Sequence, residues 1–210
     1  MQQQTKQFFV TGIDTGIGKT VASACLVNYL QADYWKPIQS GDLIDSDSMK
    51  VAEWTNKTTT IFPERYALQT PASPHESAAR EGITMDLADF QLPQTPNNLI
   101  VEGAGGLFVP INSSTYLIDL IKHLQLPVVL VTKNYLGCIN HTLLAIEALR
   151  TRQIPLAYLV FNGTFNLYSL RAIKAFLDDT TQLIHLPTVD KISKETLHQI
   201  STTLNLEEDE

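Results

Sequence analysis

The chain has 210 residues, of which 44% are hydrophobic and 18% are charged, and its net charge is −7. This composition is typical of a globular domain, and it excludes a disordered chain. Four acidic residues occupy positions 207–210, so the rest of the chain is close to neutral and lacks the basic excess of a nucleic-acid-binding protein. No apolar run approaches the roughly 18 residues of a membrane helix. The charge balance and the lack of such a run lead us to expect neither nucleic acid nor a membrane as a partner.

We predict one domain over residues 1–206 and an acidic tail at residues 207–210. The first residues contain no apolar stretch of signal-peptide length, and Cys25 and Cys138 form no CxxC pair. These features predict a cytoplasmic protein with two structural thiols.

Apolar runs and helix-like segments alternate along the chain. Continuous apolar runs of this kind are typical of strands covered on both faces, and we predict strands at residues 8–11, 34–35, 98–101, 128–132 and 157–161. Helical spacing and helix-start signals predict helices at residues 19–31, 45–54, 73–80, 140–150, 167–177 and 193–204. The alternation predicts an α/β fold with a mostly parallel sheet and helices on both faces.

The strongest signal is the run Gly12-Ile-Asp-Thr-Gly-Ile-Gly-Lys-Thr20, between the first strand and the first helix. Gly16 and Gly18 let successive N–H groups point at phosphate oxygens, beside the positive end of the helix. Lys19 has the reach to contact terminal phosphates, and the Thr20 hydroxyl is a ligand for Mg²⁺. One residue more than usual precedes the Gly-Lys-Thr run, so we predict a variant phosphate-binding loop in a P-loop NTPase-like fold.

A carboxylate follows the third predicted strand. Glu102 comes directly after the apolar run 98–101, and glycines surround it at positions 103, 105 and 106. An acid at this position of a phosphate-loop enzyme lies near the metal. A solvated surface acid is the alternative, and the upstream phosphate loop together with the glycines favours the site.

Together, these features resemble the dethiobiotin synthetase family. Five segments carry the resemblance and extend over nearly the whole chain: residues 11–20, Trp35-Lys-Pro-Ile-Gln-Ser-Gly41, Ser73-Pro-His75, Val101-Glu-Gly-Ala-Gly-Gly106 and Leu136-Gly-Cys-Ile-Asn-His141. The resemblance implies a ligase that converts 7,8-diaminopelargonate, CO₂ and ATP into dethiobiotin, ADP and phosphate. One amine captures CO₂ as a carbamate, ATP phosphorylates the carbamate, and the second amine closes the ring by expelling phosphate.

The resemblance also implies roles for individual residues. The catalytic residues would be Lys36, Lys19 and Thr15. The Mg²⁺ ligands would be Thr20, Asp47 and Glu102. The substrate would contact Ser40, Thr15, Lys36, Gly137, Cys138, Ile139 and Asn140. ATP would contact Gly16, Ile17, Gly18, Lys19, Thr20, Val21, Asp47, Glu102, Gly103, Ala104, Gly105, Asn162, Gly163, Pro187, Thr188 and Val189.

Several of these roles have alternatives in the sequence itself. Asp47 competes with Asp42 and Asp45 as a metal ligand, and it is also placed to cap a helix. Lys36 taken alone would be a solvated residue at a strand end. The chain departs from the family pattern at two positions: Gly16 replaces the Glu that some members carry, and Gly163 replaces a frequent acidic residue.

The segment 136–141 is the candidate site for the carboxylate end of the substrate. Gly137 permits a tight turn before the predicted helix, and the free N–H groups of a helix start suit a carboxylate. The resemblance implies that this carboxylate belongs to a substrate held by the neighbouring subunit of a homodimer. Alternatively, Asn140 caps its own helix.

Two other function classes share the predicted fold. Switch ATPases of the chromosome-partitioning type carry a second lysine five residues before the invariant one, where this chain has Asp14. A different ATP-dependent ligase would not explain the segments at 35–41 and 136–141. The five histidines show no metal-ligand spacing, so we expect no zinc.

Overall fold

The computed structural model describes residues 5–204, and its core is a seven-stranded sheet in the order β4-β2-β6-β1-β7-β8-β9, in which all pairs are parallel. β3 and β5 form a separate parallel pair. The strands are β1 (Gln7–Gly12), β2 (Asp33–Trp35), β3 (Ile38–Ser40), β4 (Ile61–Phe62), β5 (Tyr66–Leu68), β6 (Leu99–Gly106), β7 (Val128–Lys133), β8 (Leu156–Asn162) and β9 (Gln182–Leu186). The predicted α/β class with a parallel sheet is confirmed.

Helices cover both faces of the sheet. They are α1 (Lys19–Leu30), α2 (Asp47–Trp54), α3 (Pro74–Arg80), α4 (Leu117–Leu124), α5 (Cys138–Thr151), α6 (Leu167–Lys174) and α7 (Lys194–Thr203). Side chains alternate between the two faces of each strand, so Val10 packs in the core under α1, α2 and α7, while Phe9 packs in the core under α4, α5 and α6. Both cores are apolar, which explains why the central strands have continuous apolar sequences.

Some boundaries differ from the predictions. β6 continues through the glycines to Gly106, so Glu102 lies inside a strand rather than after its end. α5 begins at Cys138, two residues before the predicted start, and α6 ends at Lys174, three residues before the predicted end. The predicted tail at 207–210 and residues 205–206 lie outside the described residues, and the domain limits stay a prediction.

Five of these strands and α-helices were not predicted. β3, β4 and β5 have two or three residues each, too few for a periodic signal. β9 is an edge strand with polar residues at Gln182 and His185. α4 has apolar residues at helical spacing, with Leu117, Leu120, Ile121 and Leu124 all buried, so its signal was present in the sequence. In residues 5–204, no helix has the length and apolar character to cross a bilayer.

Asp33 connects three loops at the amino end of β2. The side chain is buried, and it accepts hydrogen bonds from Thr60 N at 2.8 Å, from the Thr95 hydroxyl and from Asn97 Nδ2 at 3.2 Å. Burial alone would raise the pKa of Asp33, but these hydrogen bonds outweigh it and hold the pKa below its ordinary value. The ionised carboxylate therefore stabilises this end of the sheet.

We predict that Asp33→Asn lowers the free energy of unfolding at neutral pH by about 1–3 kcal/mol. The amide replaces one carboxylate oxygen by an N–H₂ group, so at least one of the hydrogen-bond donors that face Asp33 loses its acceptor. A carboxyl with a lowered folded pKa stabilises the fold fully above its unfolded pKa of about 3.9 and loses that effect as pH falls through the folded pKa. Urea unfolding at several pH values should thus show a difference from wild type that shrinks in acid. Asp178→Asn, at a surface ion pair with Arg150, is the control and should stay within about 0.5 kcal/mol. A difference independent of pH would contradict the prediction.

Candidate active site

A cleft of about 710 Å³ opens at the carboxyl edge of the sheet. Five segments form most of it: the loop between β1 and α1, the residues from Lys36 through β3, the start of α2, residues 71–74 up to the start of α3, and the end of β6. Twelve of the predicted site residues line this cleft: Thr15, Gly16, Gly18, Lys19, Thr20, Val21, Lys36, Ser40, Asp47, Glu102, Ala104 and Gly105. Parallel α/β sheets place ligands at this edge, so the topology explains why residues far apart in sequence meet here.

The loop between β1 and α1 has the backbone that a phosphate cradle needs. Gly16 and Gly18 have φ values of 70° and 95°, which favour glycine. A Cβ at Gly18 would lie 2.1 Å from Asn162 Nδ2, so a side chain is excluded there. Lys19 Nζ donates to Asp14 O within the loop at 2.9 Å. The predicted loop conformation is confirmed, with its lysine folded back over it.

A buried cluster of charges lies beside this loop. Lys36 Nζ is 2.7 Å from Asp47 Oδ2 and 3.3 Å from Glu102 Oε1. The Thr20 hydroxyl is 3.0 Å from Asp47 Oδ1 and 3.0 Å from Glu102 Oε1. The three predicted metal ligands therefore converge, and the predicted catalytic lysine is paired with two of them.

Mutual attraction in the cluster outweighs the cost of burial. Burial lowers the pKa of Lys36, but Glu102 and Asp47 raise it above its ordinary value. Burial raises the pKa of Asp47, and Lys36 brings it below its ordinary value. Lys19 behaves differently, because burial lowers its pKa, and Lys36 lowers it further, against the attraction of Glu102. These directions favour the charged forms of Lys36 and Asp47 in a largely buried site.

The register of β2 and β6 explains how the cluster forms. Tyr34 pairs with Ile100, and Glu102 lies two residues further along β6 on the same face, so Lys36 and Glu102 are cross-strand neighbours. The Tyr34 hydroxyl donates to Glu102 Oε2 at 3.0 Å. Burial and Glu102 raise the pKa of Tyr34 well above its usual range, so the phenol stays protonated. Sequence reasoning missed Tyr34, although its spacing of two residues from Lys36 places both side chains on one face.

Gln39 is a second residue that sequence reasoning missed. Its side chain is buried, its Nε2 donates to Gly41 O at 2.9 Å, and its Oε1 accepts from Asp47 N at 3.4 Å. It therefore links the loop after β3 to the start of α2. The true cap of α2 is Ser46, whose hydroxyl accepts from Met49 N at 3.3 Å. Because Ser46 caps this helix, the Asp47 carboxylate is free to join the cluster.

The donor set suits a small hard cation. Two carboxylates and a hydroxyl present oxygens to one point, and magnesium binds such oxygens together with phosphates and water. In residues 5–204, no group of three His, Cys, Asp or Glu side chains is placed to hold a metal ion. Phosphate and water oxygens would complete the coordination, which fits a metal that binds with a nucleotide.

Ser40 and Thr15 lie in the walls of the same cleft. Ser40 Oγ is buried, and within the described part of the chain it has no hydrogen-bond partner. An unpaired buried hydroxyl is costly, so a ligand oxygen or nitrogen that reached Ser40 Oγ would offset this cost. Thr15 Oγ1 lies 3.6 Å from the point where a Cβ of Gly105 would be, so the phosphate loop faces the end of β6.

A second group of predicted residues adjoins the phosphate loop. Asn162 Nδ2 donates to Ile17 O at 2.7 Å, and Gly163 N donates to Leu186 O at 2.9 Å. A Cβ at Gly163 would lie 3.2 Å from Thr188 Oγ1, so the segment of Pro187, Thr188 and Val189 lies beside Asn162. One N–H of the Asn162 amide thus holds the loop, and its role toward the adenine base stays a prediction.

The residues at the start of α5 are not among those that line the cleft. Gly137 is the cap of this helix, with φ 103° and no side-chain hydrogen bond, so the alternative in which Asn140 caps the helix is wrong. The Cys138 side chain is buried, whereas Asn140 is exposed and Leu136 is fully exposed. Ile139 is half-buried. In a single subunit these residues do not complete the cleft.

Gly103 and Ile17 face the protein interior instead of the cleft. A Cβ at Gly103 would lie 2.7 Å from Phe9 Cε1 and 2.9 Å from Leu117 Cδ2. The Ile17 side chain is buried in the core under α1 and would meet a Cβ at Gly12. The structure therefore gives the Gly103 position and the Ile17 side chain a packing role. Their predicted contacts with ATP stay untested.

Comparisons with known proteins identify relatives of this chain. A family model described as "AAA domain" matches residues 6–196. The ATP-dependent dethiobiotin synthetase BioD of Christiangramia forsetii is 48% identical over 170 residues, which are 80% of this chain and 82% of the relative. The enzyme of the same name from Rhodopseudomonas palustris strain BisB18 is 44% identical over 206 residues, 97% and 98% of the two chains. Among solved structures, the ParA family ATPase from Chlorobium tepidum TLS has a TM-score of 0.52 and 10% identity, and the match covers 95% of this chain and 90% of that one, which shows a shared fold alone.

We predict that Gly103→Ala lowers the free energy of unfolding by about 1–3 kcal/mol, because the new methyl group overpacks the core against Phe9 and Leu117. Chemical denaturation would measure the loss. In the background of Phe9→Leu, which removes the nearest ring atoms, the same change should cost less. An unchanged cost in that background, or a loss of nucleotide affinity without a loss of stability, would contradict the packing role.

Proposed function

Because this chain belongs to the ATP-dependent dethiobiotin synthetase family, we propose that its cleft is the site where 7,8-diaminopelargonate is carboxylated and closed to dethiobiotin. The enzyme is a ligase of biotin biosynthesis that uses ATP. The observation that carries the assignment to the cleft is the convergence of Lys19, Lys36, Thr20, Asp47 and Glu102. We propose the cytoplasm as its location, in keeping with its two reduced cysteines.

The reaction forms two C–N bonds around one carbon atom. We propose that CO₂ adds to one amine of the diamine, which loses a proton and becomes a carbamate. A carbamate oxygen then takes the γ-phosphoryl group of ATP, and ADP leaves. The second amine attacks the activated carbon, phosphate leaves, and the ureido ring of dethiobiotin is complete.

The main obstacle is the approach of two anions. The carbamate and the γ-phosphate repel each other, so the site needs preorganised positive charge. Lys19 lies in the phosphate loop and Lys36 lines the same cleft, so we propose that both ammonium groups contact the transferred group. We propose that Ser40 and Thr15 donate hydrogen bonds to the carbamate, since the Ser40 hydroxyl lies unpaired in the cleft wall.

We propose that Thr20, Asp47 and Glu102 hold Mg²⁺. When bound, the ion polarises phosphate oxygens and offsets the charge that moves to ADP. Both carboxylates now contact Lys36, so they would be shared between that ammonium and the ion. Attraction to the ion would free Lys36 to contact the carbamate and the phosphate.

We propose that the adenine base lies beside Asn162, Gly163 and the segment of Pro187, Thr188 and Val189. One N–H of the Asn162 amide donates to Ile17 O, and its second N–H and its oxygen remain for the base edge. This contact joins the base site to the phosphate loop. The triphosphate would extend from there along the remaining predicted ATP contacts.

We propose a homodimer in which the start of α5 serves the substrate of the neighbouring subunit. Diaminopelargonate carries its carboxylate at the far end of an apolar chain from the amines. The N–H groups at the first turn of α5 lack intrahelical acceptors and suit a carboxylate. Support comes from this turn, which does not line the cleft of its own subunit and which exposes Leu136 and Asn140.

One assay tests the proposed reaction. The protein is incubated with ATP, Mg²⁺, bicarbonate and diaminopelargonate, and mass spectrometry is used to detect dethiobiotin. The expected result is dethiobiotin together with ADP and phosphate in equal amounts. ATP hydrolysis that ignores the diamine, without dethiobiotin, would overturn the proposal.

We predict that Lys36→Gln lowers kcat about 10²–10³-fold, because one preorganised charge is lost from the transition state. ATP affinity should change much less, since Lys19 and the loop amides remain. Single-turnover kinetics and equilibrium binding of ATP would separate the two effects. Lys122→Gln, at an exposed position of α4, is the control for loss of a lysine charge. Normal turnover by Lys36→Gln, or a loss confined to ATP binding, would contradict the role.

We predict that Asn140→Asp raises the KM for diaminopelargonate, because the new charge repels the substrate carboxylate. The same change favours the helix dipole, so stability should not fall. Gln91→Glu adds an equal charge at an exposed position outside the helices and is the control. An unchanged KM would contradict the carboxylate site.

The shared site makes a further prediction for mixed dimers. When Asn140→Asp and Lys36→Gln chains are mixed, about a quarter of wild-type activity should return, because half of randomly paired dimers are mixed and each holds one intact site of two. Each variant alone sets the baseline. Failure to recover activity from subunits that exchange, or full activity from a monomer, would overturn the shared site.

A further inference from the structure

The Glu102 carboxylate is held differently at its two oxygens. Oε1 is 3.0 Å from the Thr20 hydroxyl and 3.3 Å from Lys36 Nζ. Oε2 accepts from the Tyr34 hydroxyl at 3.0 Å. Tyr34 and Glu102 are both fully buried, so this hydrogen bond lies behind the cleft, away from the ligands. Tyr34 does not line the cleft.

The strand register makes this contact a rigid one. Tyr34 is in β2 opposite Ile100, and its ring reaches along the strand direction to the next residue on that face of β6. The ring packs in the core under α1 and α2, with Val10 and Val51 in the same cluster. Packing thus fixes the ring, and the ring fixes the phenol oxygen against Oε2. Free rotation of the carboxylate would break the hydrogen bond and leave a buried hydroxyl unpaired.

From these contacts we propose that Tyr34 is a positioning residue for the metal site: its hydroxyl holds Glu102 so that Oε1 alone faces Thr20, Lys36 and the cation. The inference rests on the proposed role of Glu102 as a magnesium ligand. Groups behind a ligand commonly set its orientation, and their loss weakens metal binding about 10–100-fold. Tyr34 makes no contact with ATP or the diamine in this arrangement. It acts through the carboxylate.

The test measures binding of Mn²⁺, as a spectroscopic substitute for Mg²⁺, to the full chain with ADP present. Tyr34→Phe keeps the ring and removes only the hydroxyl, and it should weaken Mn²⁺ binding about tenfold or more. ADP affinity measured without metal should not change. Tyr66→Phe is a matched control, because the Tyr66 hydroxyl also donates to a carboxylate, Asp89 Oδ2 at 2.7 Å, outside the cleft. Wild-type Mn²⁺ affinity in Tyr34→Phe, or an equal loss in both tyrosine variants, would overturn the proposal.

A double-mutant cycle shows whether Tyr34 acts through Glu102. In the Glu102→Gln background, adding Tyr34→Phe should cause little further loss of Mn²⁺ affinity. If Tyr34→Phe alone fails to fold, the double variant is compared with Glu102→Gln directly, and a further loss of Mn²⁺ affinity of about tenfold or more would overturn the proposal. A further loss as large as in the wild-type background would overturn the proposal. The proposed metal site is tested separately. If Glu102→Gln binds Mn²⁺ as tightly as the wild-type chain does, the metal site itself is refuted.

Discussion

The buried carboxylate of Glu102 is the group on which the site depends. It lies inside a central strand with no exposure to solvent, and burial of an unpaired charge would cost several kcal/mol. Three side chains compensate: Lys36 and Tyr34 from the neighbouring strand segment, and Thr20 from the first turn of α1. Each of these elements is therefore held in place by the same charge. The charge links the sheet, the segment at the end of β2 and the first turn of α1.

Most of the central sheet was predictable because its strands are buried on both faces and have continuous apolar sequences. The phosphate loop was predictable because the positive φ values at positions 16 and 18 strongly favour glycine. Short strands such as β4 were not, because two residues carry no periodicity. α4 was missed even though its apolar spacing was present, since eight residues form only two turns.

The site was predicted less evenly. Lys19 and Thr20 follow from a local motif, and the family resemblance supplied Asp47 and Lys36. Tyr34 and Gln39 were missed because their roles depend on tertiary contacts: a strand register in one case and a loop-to-helix bridge in the other. Gly103 shows a requirement that the sequence did not reveal, since a glycine beside a candidate ligand site can be required by packing behind it.

Charge balance in the cleft constrains how ligands enter. Asp47 and Glu102 are already paired with Lys36, and Lys19 is folded onto its own loop, so the cleft without ligands offers neither a free pair of carboxylates nor a free pair of lysines. A cation alone would have to displace an ammonium without giving it a new partner. A triphosphate alone would have to draw Lys36 from two carboxylates and leave them buried and unpaired. On the proposed function, binding of the two together would satisfy every group, because the cation would take the carboxylates while the phosphates would take the lysines. The same exchange would prepare Lys36 to meet the carbamate only after nucleotide and metal are in place.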